Sequence, residues 1–328
     1  MKVACYERTG AAREVLRIAE RPDPAPGPGE VRVRLKTSGV NPSDVKSRAG
    51  LRNPKLPFLV IVPHSDGAGV IDQVGAGVAP ERKGERVWVW NAAWGRPDGT
   101  AAQSVVLPSA QAVRLPDDVD FEAGACLGIP ALTALHAVQG WGGVEGQSVV
   151  VAGGAGAVGH YAVQFARRLG ARRVIATVSS ETKATLARAA GADAVIDYRQ
   201  SDVAAEVRAL TAGAGADRII EVDVAANGAL DADALRPGGM AVVYGSGAGQ
   251  FSLPFFPLIA KNLSWHFFIV YQLSEDDRAA AHRTLDRLLR EGGLTHQIAA
   301  RLPLAEIVAA HELVESGRAV GNVVLDVE

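Results

Sequence analysis

The first 120 or so residues follow the two-residue period of half-buried β-strands. Residues 31–35 read Val-Arg-Val-Arg-Leu, so apolar side chains alternate with basic ones and one face is predicted to pack against a core. Further short apolar segments, bounded by glycine turns or prolines, occupy 67–75, 86–90, 101–106 and 112–115. Short strands at such close spacing predict a small β-rich barrel or sandwich.

From residue 121 the pattern changes to alternating helices and strands. A helical segment over 121–139, interrupted at Pro130, comes first. Apolar segments then predict strands at 149–152, 174–178, 194–196, 218–222 and 240–244. The segments between them predict helices at 157–169, 181–190, 202–210 and 227–235. This alternation predicts an α/β fold with a doubly wound parallel sheet.

The end of the chain does not continue this alternation well. A further strand is predicted near 263–270 and a charged helix over 275–291. A strand near 298–302, a helix over 304–316 and a last strand at 322–327 follow. The order of these elements along the chain does not by itself establish whether the tail returns to the first domain.

Composition narrows the class of protein. Of the 328 residues, 48% are apolar and 21% are charged, which is typical of a globular protein of about two domains. The net charge of −2 gives no general attraction to nucleic acid or to an anionic membrane. Cys5 and Cys126 are the only cysteines, which excludes a disulfide framework and favours the reducing cytoplasm. Neither a signal peptide nor a membrane-spanning segment is expected.

The segment from 148 to 170 carries the clearest chemical signal. An apolar strand leads directly into Gly154-Ala-Gly156-Ala-Val-Gly159, and a helical pattern follows. Glycines at this spacing allow a tight turn and let the backbone approach a pyrophosphate, while the start of the helix offers free N–H groups and a positive dipole end. The strand–turn–helix context therefore predicts a dinucleotide site. The alternative is a glycine-rich turn in an ordinary α/β domain.

Residues after the second strand of this unit indicate which dinucleotide. A site for NAD usually has a carboxylate there to bind the ribose 2′-hydroxyl, but this strand ends in Ser179-Ser180. Lys183 lies one turn into the next helix, and Tyr198 ends the third strand. Two hydroxyls, a cation and a phenol suit a 2′-phosphate, which favours NADP(H). The alternatives are that Ser180 is a helix cap and Lys183 a solvated residue, or that Glu181 serves NAD.

Several further motifs give the chain a wider resemblance. They are the segments 38–44 (Ser-Gly-Val-Asn-Pro-Ser-Asp), 66–75, 84–87, 99–106 and 318–324, together with the glycine loop. With these residues the chain resembles the zinc-free quinone oxidoreductase (zeta-crystallin-like) branch of the medium-chain dehydrogenase/reductase superfamily. The resemblance implies a Rossmann domain over 123–271, inserted in a GroES-like β-rich catalytic domain made of 1–122 and 272–328.

The resemblance also implies positions for the cofactor. The pyrophosphate loop falls on Ala155, Gly156, Ala157 and Val158, and the 2′-phosphate site on Ser179, Lys183 and Tyr198. The turn Tyr244-Gly245-Ser246-Gly247 would lie beside the nicotinamide ribose, and Ile269, Val270 and Tyr271 at the nicotinamide end. Thr133 and Asn322 are further expected contacts. The strand near 263–270 resembles one that pairs across a homodimer, and an apolar edge strand needs such a cover.

The same resemblance leads us to expect no metal. Zinc-dependent relatives have a cysteine where Asn41 stands and a histidine where Ser65 stands, with His64 one residue early. A catalytic zinc needs three protein ligands with nitrogen, sulfur or carboxylate donors, and Asn41 and Ser65 are poor ones. His64 is then either a loop histidine or part of an active site.

Without a metal, catalysis would depend on holding the nicotinamide against an electron-poor acceptor. Asn41 is the leading candidate for a donor to developing oxyanion charge, although an asparagine before a proline is also a good helix cap. Related quinone reductases have tyrosines where Lys46 and Arg52 stand, so Arg52 is a second candidate, or a solvated residue.

The predicted function is NADPH-dependent, zinc-independent reduction of quinones or related conjugated carbonyl compounds. One alternative is reduction of an enoyl-thioester or alkenal double bond on the same scaffold. An alternative from another class is an NADPH-binding protein, crystallin-like or RNA-binding, with little turnover. The balanced charge and the lack of a basic, aromatic-rich patch disfavour RNA.

Overall fold

A computed structural model describes all 328 residues, Met1–Glu328. The chain forms two compact units, one of Met1–Pro130 with His296–Glu328 and the other of Ala131–Thr295. The second unit is therefore an insertion in the first, as the resemblance implied. The resemblance implied an inserted domain over 123–271, whereas the compact inserted unit comprises Ala131–Thr295.

The N-terminal part of the first unit is rich in short strands. Its strands are β1 Lys2–Cys5, β2 Arg17–Glu20, β3 Glu30–Val40, β4 Asp66–Val74, β5 Arg86–Val89, β6 Ser104–Pro108 and β7 Ala112–Arg114. Its helices are α1 Ala12–Val15, α2 Pro42–Arg48 and α3 Phe121–Gly124. Strand β3 confirms the predicted alternation, since Val31, Val33 and Leu35 are buried.

The inserted unit alternates helices and strands throughout. Its helices are α4 Leu132–Gln139, α5 Ala157–Arg168, α6 Glu181–Ala189, α7 Val203–Leu210, α8 Val224–Ala234, α9 Phe255–Ala260 and α10 Glu275–Glu291. Its strands are β8 Ser148–Val151, β9 Arg173–Val178, β10 Ala194–Asp197, β11 Ala216–Glu221, β12 Leu235–Val243 and β13 Ser264–Phe267. They form one parallel sheet in the order β10-β9-β8-β11-β12-β13. This confirms the doubly wound α/β prediction, because the strand order reverses at β8, the first strand of the sheet.

The end of the chain completes the sheet of the first unit. It contains β14 Ile298–Pro303, α11 Ile307–Glu315 and β15 Asn322–Asp326. Strand β15 pairs antiparallel with β3, and β14 pairs parallel with β15. The resulting sheet has the order β14-β15-β3-β4-β5-β7, with β6 also paired to β3. The tail thus belongs to the first unit, which sequence order alone had left open.

Each unit is built on its own apolar core. In the first unit the core includes Val33, Leu107 and Leu325, from three different strands. In the inserted unit, Ile175 and Ile219 belong to the core beneath α7 and α8. None of the helices combines the length and the apolar character needed to cross a membrane.

In the inserted unit, a buried arginine hydrogen-bonds to the C-terminal end of α4. Arg218, on the central strand β11, has no exposed surface. Its guanidinium lies within 2.9–3.0 Å of five backbone carbonyl oxygens in and after the last turn of α4: those of Ala137, Val138, Gly140, Trp141 and Gly143. Because the last carbonyls of a helix have no partner within it, this one side chain satisfies the C-terminus of α4 and ties it to the sheet.

Replacing Arg218 with methionine should lower the free energy of unfolding by about 3–5 kcal/mol, because several buried carbonyls would lose their donor. Urea-induced unfolding followed by circular dichroism measures the change. Arg208 is a matched control, since it lies on α7 with its side chain 39% exposed and pairs with Asp233. Arg208→Met should cost less than about 1 kcal/mol. Equal losses in the two variants would contradict the role given to Arg218.

Candidate functional site

The candidate site lies at the carboxyl edge of the parallel sheet in the inserted unit. All six strands run in the same direction, so the segments that follow them share one edge. The glycine loop follows β8, Ser179 follows β9 and Tyr198 follows β10. The turn that begins at Tyr244 follows β12. In a doubly wound sheet this edge, beside the switch in strand order, is where ligands bind.

The glycine loop has room for backbone and for little else. Gly153 has a φ of +66°, and Gly156 precedes the first residue of α5. A Cβ at Gly159 would overlap the carbonyl oxygen of Gly153, and one at Gly154 would lie 2.6 Å from the Cβ of Ala176 on β9. Helix α5 therefore packs directly on the turn, and its unsatisfied N–H groups face the edge of the sheet. This geometry fits a pyrophosphate.

Thr177 is a part of this loop that the sequence analysis missed. Its Oγ1 accepts a hydrogen bond of 3.2 Å from the N–H of Gly153, and its carbonyl accepts one of 3.0 Å from Gly154. The side chain lies on β9, one strand away from the loop. A β-branched residue within a strand gives no sign in sequence that it anchors a neighbouring turn.

The predicted 2′-phosphate residues cluster after β9. Lys183 Nζ donates to Ser179 Oγ at 3.0 Å, and the Ser180 hydroxyl caps α6 by accepting from the N–H of Lys183. Tyr198 donates its N–H to the carbonyl of Val178 at 3.1 Å, and it is 51% exposed. The cluster thus presents a cation, two hydroxyls and a phenol at the edge of the sheet.

Glu181, the alternative in favour of NAD, is engaged elsewhere. Its carboxylate lies 2.6 Å from the guanidinium of Arg188, two turns further along α6. The strand end itself carries no carboxylate. Ser180 is the N-cap of α6, as predicted for a serine at this position, and it is also close in sequence to Lys183.

The turn after β12 is fixed by a residue that the sequence analysis did not single out. The N–H of Gly247 donates to Asp223 Oδ1 at 2.7 Å, and the N–H of Tyr244 donates to the carbonyl of Glu221 at 3.1 Å. A Cβ at Gly245 would overlap the carbonyl oxygen of Val222. The turn at 244–247 therefore lies against the segment that follows β11.

The remaining predicted contacts of the inserted unit are largely buried. Thr133 is in the first turn of α4 and only 5% exposed. Ile269 is half-buried, and Val270 and Tyr271 form a buried 3₁₀ turn after β13. These three residues follow β13, the last strand of the parallel sheet, at its carboxyl edge.

In the first unit, Asn41 belongs to a buried polar cluster. Its Nδ2 donates to Asp66 Oδ2 at 2.8 Å, and its backbone N–H donates to Asp44 Oδ2 at 2.8 Å. The N–H of Ile129 also donates to Asp66 Oδ2, at 3.0 Å. Asn41 is thus the cap residue of α2, as its sequence context allowed, and one of its amide N–H groups is committed to Asp66.

Burial changes the ionisation of both carboxyls in this cluster. It raises the pKa of Asp44 to about 7, against the opposing effect of its hydrogen bond from Asn41 and the charge of Arg52. Burial raises the pKa of Asp66 well above its usual range, despite its bond from Asn41. The second carboxyl oxygen of Asp66, Oδ1, is buried without a hydrogen-bond partner.

Arg52 and Asn322 lie at different depths in the first unit. Arg52 is exposed, yet close enough to Asp44 for its charge to act on that carboxyl. Asn322, at the start of β15, is buried, and its Nδ2 donates to the carbonyl of Gln297 at 3.0 Å. The structure therefore places the candidate cation near the helix that Asn41 caps.

His64 is part of the core of the first unit. Its Nδ1 lies 2.9 Å from Ser38 Oγ, and its Nε2 lies 2.9 Å from Nε2 of His311, on which its ring also stacks. Burial holds the pKa of His64 well below its usual value, and burial with the charge of Arg48 lowers that of His311 to about 3. Both rings are neutral at physiological pH. No three histidine, cysteine, aspartate or glutamate side chains converge to form a potential metal site.

Models of two protein families match the chain. The alcohol dehydrogenase GroES-like domain matches residues 27–117, and the zinc-binding dehydrogenase family matches residues 157–289. The first match lies in the β-rich unit and the second in the inserted unit.

Curated relatives match over nearly the whole chain. A 2-haloacrylate reductase from Burkholderia sp is 32% identical over 318 residues, and the alignment covers 92% of each chain. A quinone oxidoreductase from Pseudomonas aeruginosa is 31% identical over 318 residues, with 95% of each chain covered.

Solved structures with similar folds also match over the whole chain. An NAD-dependent alcohol dehydrogenase superposes with a TM-score of 0.92 at 34% identity and covers 100% of both chains. A mycobacterial protein in complex with NADPH gives a TM-score of 0.87 at 28% identity, again over 100% of both chains.

Fold, loop and relatives together define the class of protein. The chain belongs to the medium-chain dehydrogenase/reductase superfamily, in its quinone oxidoreductase-like branch. It is an oxidoreductase of the quinone oxidoreductase type that uses a nicotinamide cofactor.

The neutral histidine pair should make the protein sensitive to acid. A histidine whose pKa is lower in the folded state than the unfolded value near 6.5 binds its proton mainly after unfolding, so its contribution to stability is lost as pH falls below 6.5. The buried acids have raised pKa values and act in the opposite direction. His311→Gln removes one titrating ring and should flatten the loss between pH 6 and 4 by up to ~1.4 kcal/mol per pH unit.

Urea unfolding at a series of pH values, compared between the wild type and His311→Gln, isolates this effect from that of the acids. Ser316→Ala, at the C-terminal end of the same helix α11, removes a side-chain hydrogen bond but no titrating group and is the control. An unchanged slope in His311→Gln would show that the pair does not stay neutral in the folded protein.

Proposed function

We propose that this protein reduces quinones or related conjugated carbonyl compounds with NADPH, without a metal ion. The contact between Lys183 Nζ and Ser179 Oγ, at a strand end that lacks a carboxylate, carries the cofactor part of the proposal. The quinone oxidoreductase relatives support the substrate class.

The preference for NADPH follows from the charge at the end of β9. Lys183 offers a cation and Ser179 a hydroxyl, and both suit the oxygens of a 2′-phosphate. Glu181 is held by Arg188 and so does not compete for the ribose. One structural neighbour contains NADPH and another is described as NAD-dependent, so the charge of this cluster is the reason for our choice.

The cofactor would be bound by segments at the carboxyl edge of the parallel sheet. The N–H groups of Ala155 and of residues 157–159 in the first turn of α5, together with the dipole of that helix, would hold the pyrophosphate. The turn at 244–247, residues 269–271 and Thr133 would hold the nicotinamide half. Asn41 and Asn322, in the first unit, stay predicted contacts of the cofactor. When bound in reduced form, the cofactor supplies a hydride.

The chain's own groups can assist this reduction without a Lewis acid. A conjugated carbonyl already delocalises the charge that arrives with the hydride, so positioning and a hydrogen-bond donor suffice. Asn41 is held in a single orientation by its bond to Asp66, which prepares its amide for such a role. Arg52 would add a positive charge near the same helix. Asn41 and Ser65 are poor ligands for the zinc that other members of the superfamily bind.

A second candidate reaction is the reduction of an activated carbon–carbon double bond. The observation in its favour is the 32% identity to a 2-haloacrylate reductase. Enones and haloacrylates have the same conjugated acceptor system as quinones, so one scaffold can serve either class. The identity of the product, and not the consumption of NADPH, distinguishes the two.

We also propose a homodimer formed through β13. This strand is the edge of the parallel sheet, and Phe267 on it is 54% exposed. Phe255, Phe256 and Ile259 on α9 add further exposed apolar surface. Such an edge needs a cover. A monomeric mass in light scattering would contradict this.

The free thiols Cys5 and Cys126 fit a reducing compartment such as the cytoplasm.

Reversing the charge at Lys183 should separate the two dinucleotides. Lys183→Glu should weaken NADPH binding at least about thirtyfold, or ~2 kcal/mol, and leave NADH within about threefold, because only NADPH carries the 2′-phosphate. Fluorescence titration of each dinucleotide measures both constants. Arg208→Glu makes the same reversal of charge on α7, where Arg208 pairs with Asp233, and is the control. Equal weakening of NADPH and NADH by Lys183→Glu would refute the 2′-phosphate assignment.

A substrate panel tests the reaction itself. Purified protein with NADPH is offered a naphthoquinone, an enone, a 2-haloacrylate and an enoyl thioester, and oxidation is followed at the nicotinamide absorbance. We expect turnover of the quinone, with an unchanged rate in the presence of a zinc chelator. Elemental analysis should find no stoichiometric zinc. Loss of activity on chelation, or turnover confined to enoyl thioesters, would overturn the proposal.

A further inference from the structure

Two buried acids lie beneath the carboxyl edge of the parallel sheet, where the proposed reaction gives them no role. Glu221 ends β11 and has no exposed surface, and Asp231 on α8 is 2% exposed. Glu221 Oε2 and Asp231 Oδ2 are both buried, and no other group donates a hydrogen bond to either atom. Burial and the adjacent Glu221 raise the pKa of Asp231 to about 9. Asp231 is therefore protonated at neutral pH and can donate to the Glu221 carboxyl group.

The other oxygen of Glu221 shapes the segment that follows β11. Glu221 Oε1 accepts from the backbone N–H of Asp223 and, at 3.0 Å, from Nδ2 of Asn227. These bonds fold the chain back on itself directly after the strand and set the position of Asp223. An ionised carboxylate is a stronger acceptor here than a neutral group would be.

Asp223 passes this constraint to the turn after β12. Its Oδ1 accepts from the N–H of Gly247 at 2.7 Å, and a Cβ at Gly247 would lie 2.8 Å from Asp223 Oδ2. The neighbouring Val222 packs near the glycine loop, 3.6 Å from where a Cβ of Gly153 would stand. The segment from 221 to 223 thus contacts the proposed nicotinamide turn and passes close to the proposed pyrophosphate loop.

We propose that Glu221 and Asp231 act as positioning residues for the nicotinamide half of the cofactor. The pair holds Asp223, and Asp223 holds the turn at 244–247 in the form that receives the nicotinamide ribose. This inference rests on the proposed function, which places that turn beside the nicotinamide. The adenosine half would bind two strands away, after β9, and so should not depend on the pair.

The other titratable groups near Asp231 do not form an ion pair with it. Glu221 faces Asp231 from β11, and Tyr244 directly follows β12. Burial and the charge of Glu221 raise the pKa of Tyr244. The basic groups of the neighbouring helices are engaged elsewhere. Lys261 after α9 donates to the carbonyls of Ala232 and Asp233, and Arg208 on α7 pairs with Asp233.

The test compares a whole cofactor with a fragment that lacks the nicotinamide. NADPH and 2′,5′-ADP are titrated by calorimetry against the wild type, Glu221→Ala, Asp223→Ala and the control Asp233→Asn. Both alanine variants should weaken NADPH at least tenfold and leave 2′,5′-ADP within about twofold, while Asp233→Asn changes neither. Asp223 is only half-buried, so its variant keeps the test valid if Glu221→Ala fails to fold.

A pH series adds a readout that a purely structural role would not move. Above about pH 9 the wild type should lose NADPH affinity as Asp231 ionises beside Glu221. Asp231→Asn places a permanent donor in the same position and should keep its affinity up to pH 10.

The outcomes separate this inference from the proposed function. A wild type that binds neither NADPH nor NADH would refute the proposed function. If it binds NADH instead, NADH and ADP replace the two ligands and the comparison stands. Equal weakening of cofactor and fragment, no weakening of either, or identical pH profiles for the wild type and Asp231→Asn would overturn the positioning role.

Discussion

The direct contact between α5 and the turn after β8 is the constraint on which the rest of the candidate site depends. Gly159 lies against the carbonyl of Gly153, and Gly154 against Ala176, so no side chain separates helix from sheet. This closeness brings the helix N-terminus to the carboxyl edge of the strands, where its N–H groups and dipole meet an anion. The neighbouring strand ends then supply the groups that distinguish one dinucleotide from another.

Both units contain ionisable groups deep in their interiors. Each of these groups either has hydrogen-bonding partners or is uncharged. Arg218 stays charged because backbone carbonyls surround its guanidinium. Burial keeps His64 and His311 neutral, and Asp66 accepts a hydrogen bond from Asn41. Burial and the neighbouring Glu221 keep Asp231 protonated at neutral pH. Because a lone buried charge costs several kcal/mol, such partners and protonation states are what allow these groups to be buried.

Elements with strong periodicity were predicted well. The alternation of strand and helix from 148 to 243 gave the parallel sheet, and the helix predicted over 275–291 forms as α10. Strands β1 and β2 were missed, since four-residue segments with no clear alternation carry little signal. The boundary of the inserted unit near 295 was also missed, because α10 packs on α4 and only packing decides to which unit a helix belongs.

The sequence by itself determined the glycine loop, the absence of a carboxylate after β9, the presence of Lys183 and Asn41, and the family. These are properties of residue type and local spacing, which a linear pattern contains. The tertiary structure alone decided that Lys183 contacts Ser179, that Asp66 orients Asn41 and that His64 pairs with His311, 247 positions away. It also decided that Asp231 lies beside Glu221 and that Asp223 accepts a hydrogen bond from the turn at 244–247. Such contacts depend on which strands become neighbours and how deeply they are buried, and neither is written in the spacing of residues along the chain.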